Sequence, residues 1–115
     1  MWIFTSNAAV SIVHKDCESD ELLVRARVSG HIQALFPDAN VTKSTHTDYL
    51  FRAVITRSAV AQMLSDQAMN LRYDNYKNSV KNNRFHDALA RIWSVMAGLQ
   101  PTRPYSGASS LKRFL

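Results

Sequence analysis

Apolar and polar positions alternate over residues 22–28. Leu22, Val24, Ala26 and Val28 fall on one side, and Leu23, Arg25 and Arg27 on the other. A period of two sends successive side chains to opposite faces of a strand, so this stretch predicts a half-buried strand. Residues 49–56 repeat the pattern, with Phe51, Ala53 and Ile55 opposed to Leu50, Arg52 and Val54. Residues 2–13 are rich in aromatic and β-branched side chains and predict a strand broken or bulged at Ser6 and Asn7; residues 40–44 predict a modest edge strand. The charged run 14–21 predicts a connecting loop, and a turn over 45–48 leads into the strand at Tyr49.

The period changes to that of a helix elsewhere. Ser29 and Gly30 open a short helix over 31–36, with Ile32, Leu35 and Phe36 on one side and Pro37 ending it. Ser58 is the expected N-cap of a second helix carrying Val60, Met63, Leu64, Ala68 and Leu71. The strongest helical stripe is the last: Phe85, Ala88, Leu89, Ile92, Trp93, Met96 and Leu99, read as a core-facing surface. Between them, residues 72–83 are polar, with Tyr73 and Tyr76 as anchors.

The predicted class is therefore α+β, in the order β-β-α-β-β-α-α: an antiparallel sheet of about four strands with helices on one face. From the second strand onward this order matches a ferredoxin-like unit whose closing strand comes from the N-terminus, a circularly permuted arrangement. The strands at Leu22 and Tyr49 would then be neighbours at the sheet centre. Residues 1–100 are expected to form one domain. Residues 101–115, with Pro101, Pro104, Gly107 and three serines, read as a basic tail that is mobile until bound.

This pattern locates the candidate chemistry. If the apolar sets face the helices, Arg25, Arg27 and Arg52 project together from the other face. Neighbouring guanidiniums repel unless an anion sits among them, and arginine suits bidentate contacts with phosphate or carboxylate. Either that face binds an anion, or it is salt-bridged internally by Asp48 or by an acid of the 16–21 loop. The strands offer no exposed aromatic, which argues against stacking of single-stranded RNA. A second candidate is the segment from Tyr73 through Tyr76, Lys77, Asn78 and Lys81 to Arg84, which combines donors and rings in a loop. The alternative there is a solvated connector that pins one tyrosine in the core.

His86 and Asp87 invite an acid/base reading, but adjacent helical positions point apart and are not expected to pair. Asp87 is assigned instead to the first helical turn, where the dipole favours negative charge, and His86 to capping or to the arginine face. His14, Cys17, His31 and His46 show no paired ligand spacing, so neither a metal nor a cofactor is expected. Gly30, Gly98 and Gly107 build no phosphate-cradling loop, and no nucleophile elbow is present.

Composition narrows the class further. The chain has 115 residues, 46% of them hydrophobic, a net charge of +5 and one cysteine. A single cysteine forms no internal disulfide and suits a reducing compartment; with no leader-like segment and no long apolar run, a cytoplasmic, non-membrane protein is expected. From Arg72 onward Arg72, Lys77, Lys81, Arg84, Arg91, Arg103, Lys112 and Arg113 face only Asp74 and Asp87, a skew that draws polyanions or acidic surfaces. The alternative is solubility alone.

The segments MWIFTSNAAVSIV, LLVRARVSG, FPDA, YLFRA, YDNYKNSV and HDALARIWSVMAGLQ, in that order, resemble a group of small bacterial and phage proteins of unassigned function. The resemblance covers residues 1–100 and leaves out the tail. It implies a compact cytosolic protein that circulates with phages, and so an inhibitor of a host defence complex of the anti-CRISPR kind. Three functions stand open. One is a non-enzymatic binder of an anionic target (nucleic acid, nucleotide or acidic protein surface). Another is a small enzyme on a phosphate-bearing substrate, with His86 as acid/base. The last is a homodimeric or larger assembly subunit.

Overall fold

The N-terminal apolar run folds as two strands, not one. β1 (Trp2–Phe4) and β2 (Ala9–Val13) form an antiparallel hairpin pairing Trp2 with Ser11, Ile3 with Val10 and Phe4 with Ala9. The expected bulge at Ser6 and Asn7 is a full chain reversal. The Thr5 amide donates to the Ala8 carbonyl at 2.8 Å, and the Thr5 hydroxyl accepts from the Asn7 amide at 3.3 Å. Threonine thus supplies the local bonds a tight turn needs. The computed structural model describes residues 1–101, and the chain divides between Tyr73 and Asp74 into two compact units. The expected tail falls, beyond Pro101, outside the described residues.

The first unit is α+β. β3 (Glu21–Ala26), α1 (His31–Leu35), β4 (Thr42–Lys43), β5 (Phe51–Thr56) and α2 (Arg57–Met69) follow the hairpin. The five strands lie in the order β1-β2-β3-β5-β4, each antiparallel to its neighbour. β3 and β5 are adjacent at the centre, as the element order leads us to expect. Val10, Ile12, Val24, Ala26 and Ala53 from one face of the sheet pack with Ile32 and Phe36 of the α1 region and with Val60 and Met63 of α2. Val24 and Ile32 are almost fully buried, and a buried side chain of this size contributes about 1.5–3 kcal/mol. Val28, assigned to the same apolar set, lies beyond the strand and is exposed.

Helix boundaries follow their caps. α1 starts after Gly30, whose φ of 90° is open to a residue without Cβ and strained for others. α2 is capped by Thr56 and not by the expected Ser58: the Thr56 hydroxyl accepts from the Ala59 amide at 3.2 Å. The strand runs into the helix with no loop, so its last residue is also the cap. The predicted strand at 49–56 begins later, at Phe51, because Thr47, Asp48 and Tyr49 are held in a turn. The Thr47 hydroxyl donates to the Tyr49 carbonyl at 2.8 Å, and the Asp48 carboxylate accepts from the Tyr49 amide at 3.0 Å.

The second unit holds α3 (Tyr76–Ser79) and α4 (Asn83–Ala97). Asn75 and Asn82 cap them, accepting from the amides of Asn78 and Phe85 at 3.1 and 2.9 Å. The polar run 72–83 is thus not uniformly loop: asparagine at each N-cap converts part of it into a helical turn. α4 also begins before Phe85, which puts Asp87 beyond the first turn and removes its expected role at the helix dipole. Its stripe is not core-facing throughout. Leu89 is buried, whereas Ile92, Met96 and Leu99 are exposed. Amphipathic period alone does not say whether a partner surface is available.

Candidate functional site: a row of arginines on the sheet

Strand register decides which side chains meet on the face away from α1 and α2. Arg25 of β3 pairs directly with Arg52 of β5. Directly opposed residues of antiparallel strands hold their Cβ atoms about 4.5–5.5 Å apart, and like charges so placed are destabilising. The same row continues outward, from Arg25 to Ser11 and Trp2 on one side and from Arg52 to Thr42 on the other.

Three groups hold the guanidiniums in place. Arg25 Nη2 donates to the Ser11 hydroxyl at 2.8 Å. Arg27 Nη1 donates to the Asp48 carbonyl at 2.8 Å, while the Asp48 carboxylate stands 3.9 Å from Arg52 Nη2. The Tyr49 ring takes the guanidinium carbons of Arg25 and Arg27 at 4.4 and 4.1 Å from its centroid. Those two distances keep the carbons within about 8.5 Å of each other, where unit charges repel by roughly 2 kcal/mol at an effective dielectric of about 20. Each cation–π contact returns about 0.5–2 kcal/mol. The ring therefore offsets the repulsion without neutralising the charge.

The internal salt-bridging alternative is met only in part. Among the described residues Asp48 is the one carboxylate paired with the three arginines, beyond hydrogen-bond distance and itself largely exposed. The acids of the 16–21 loop are not paired with them. That loop is pinned through its backbone, with Arg57 Nε donating to the Ser19 carbonyl at 2.7 Å and the Arg57 amide to the Asp20 carbonyl at 2.8 Å. The Nε atoms of Arg25 and Arg52 are buried with no acceptor. A buried guanidinium N–H without an acceptor leaves part of each group's donor capacity unmet, and a nearby anion relieves that through its field.

The other sequence-predicted residues do not join one cluster. Tyr73 ends the first unit, where it lines a cleft of about 390 Å³ with Ile3, Asn7, Leu35, Asp66 and Arg72. Tyr76, Lys77 and Asn78 lie on α3, and Lys77 Nζ sits 4.2 Å from the Trp93 ring centroid. Lys81 Nζ donates to the Asn78 carbonyl at 3.4 Å, and Arg84 is exposed on the first turn of α4. His86 does not cap its helix, because Asn82 does. Its Nδ1 lies 3.7 Å from Asp87 Oδ1, closer than expected for adjacent helical positions but too long for a hydrogen bond. The pair is not a base with its orienting acid.

Sequence reasoning overlooked Tyr49, Ser11 and Trp2. Alternation puts Tyr49 in the strand on the side of Phe51, where its ring would not fold back over the arginines; the turn before β5 turns it onto them. Trp2 reaches the arginine row only because the hairpin reverses the chain, and it is 73% exposed there. Among the described residues no cluster of His, Cys, Asp or Glu is able to hold a metal, and no helix is long and apolar enough to cross a membrane. The chain matches no protein-family model, and neither a curated protein nor a solved structure matches it.

Proposed function

We propose that this is a non-enzymatic binding protein whose arginine face engages an anionic target. The carrying observation is the direct Arg25–Arg52 pairing with Arg27 beside it, three guanidiniums answered by one carboxylate, that of Asp48, 3.9 Å from Arg52. Arginines so arranged favour planar oxyanions over scattered surface charge. The strand order β2-β3-β5-β4, with α1 following β3 and α2 following β5, supports the circularly permuted ferredoxin-like reading, with β1 as an added edge strand. The resemblance to small phage and bacterial proteins supports a target in host machinery, such as a defence complex.

The test is affinity capture from bacterial lysate, with and without nuclease, using wild type and the double variant Arg25→Ala/Arg52→Ala. The double variant should lose the captured partner and keep a wild-type circular dichroism spectrum. An unchanged set of captured molecules would remove the arginine face from the function.

A further inference from the structure

The row that carries the arginines ends on an aromatic ring. Trp2 pairs with Ser11, Ser11 with Arg25 and Arg25 with Arg52, so all four side chains lie on one face in one line across the sheet. At about 4.8 Å per strand, Trp2 stands about 10 Å from Arg25 and about 14 Å from Arg52 along that line. Trp2 is 73% exposed, more than any other large apolar residue among the described ones. Tyr49, by contrast, is already occupied by Arg25 and Arg27. The row thus has a free ring at one end and under-neutralised guanidiniums at its centre.

Resting on the arginine-face reading, we propose that this row binds single-stranded nucleic acid, with a base stacked on Trp2 and phosphates on Arg25, Arg27 and Arg52. Every base has a π-face, and a sheet that presents an exposed aromatic beside arginines meets both halves of an unpaired nucleotide. An acidic protein surface would answer the arginines and leave the exposed indole without a role. In a duplex the bases are stacked on one another and closed to Trp2.

The experiment measures fluorescence anisotropy of labelled mixed-sequence DNA and RNA single strands of about 12 nucleotides, with the corresponding duplex and poly-glutamate as comparison probes. Single strands should bind more tightly than duplex. With three phosphates neutralised, log K should fall against log salt with a slope of about −2, and of about −0.7 in Arg25→Ala/Arg52→Ala. Trp2→Ala should weaken binding about 5- to 150-fold at constant salt slope, and Trp2→Phe should restore most of it. Quenching of tryptophan fluorescence by the strand should be lost in Trp2→Phe. Because Trp2 is exposed, these variants keep the fold, which thermal melting verifies.

Absent single-strand binding, equal binding of duplex, or an unaltered affinity in Trp2→Ala would each overturn the proposal. Arginine-dependent binding of poly-glutamate without oligonucleotide binding would leave the arginine face standing and remove nucleic acid as its target. Binding of neither probe, together with unchanged lysate capture by the arginine variant, would remove both.

Discussion

The two units carry charge and apolar surface in opposite ways. Up to Tyr73 the cations Lys15, Arg25, Arg27, Lys43, Arg52, Arg57 and Arg72 are balanced by Asp16, Glu18, Asp20, Glu21, Asp38, Asp48 and Asp66. The whole net charge of +5 therefore belongs to the residues from Asp74 onward. Yet the organised cations are in the neutral unit. There the sheet register concentrates three guanidiniums on one face, whereas in the second unit Arg84 and Arg91 are exposed along α4 and Lys77 rests on Trp93. Net charge raises the attraction felt at a distance, but a site needs cations held close together and only partly neutralised. The basic skew that drew attention to the C-terminal half is the weaker guide.

Packing divides the same way. The first unit has one contiguous core of strand and helix side chains, while in the second, among the described residues, Val80 and Leu89 are the buried apolar positions. The largest effect that would sharpen this contrast is in the first core. Ile32→Ala should lose about 2–5 kcal/mol of stability in chemical denaturation, with amide protection falling across β3 and β5. A loss below about 1 kcal/mol would mean that α1 is dispensable to that core.

A smaller effect is expected at His31, which ties α1 to the hairpin by accepting the Ala9 amide at Nδ1 over 3.0 Å. Burial holds its pKa below the ordinary value of 6.5. The unfolded chain then binds the proton more readily, so stability rises with pH. It should be full above pH 6.5 and decline as pH falls through 6.5 toward the lowered folded value. Melting temperatures of wild type and His31→Asn between about pH 5 and 7.5 check this. Asparagine retains an acceptor but does not titrate, and an undiminished pH slope in that variant would assign the effect elsewhere.

The smallest effect should come from the exposed half of the α4 stripe. Met96→Gln should change stability by no more than about 0.5 kcal/mol, since its side chain already meets solvent. A loss as large as that of Ile32→Ala would show that this stripe is covered in solution and would erase the contrast between the units.

The fold class was legible because alternation in residues 22–28 and 49–56 is strong and local. The elements misplaced were those whose limits depend on one side-chain bond: the hairpin turn at Thr5, the Thr56 cap and the asparagine caps of the second unit. Helical period in α4 was read correctly, but its burial was not, since a stripe of apolar residues does not carry its own partner.

Side-chain alternation is a property of a short stretch of chain, so the sequence by itself determined that Arg25 and Arg52 leave the core on a common face; Arg27 lies beyond β3 and is placed by the Asp48 carbonyl and the Tyr49 ring. It could not determine their neighbours. That Arg25 stands opposite Arg52, that Tyr49 folds over two guanidiniums and that Trp2 ends the same row were decided by strand register and by two chain reversals. Register joins residues far apart in sequence, and it is set by how the whole sheet buries its apolar face.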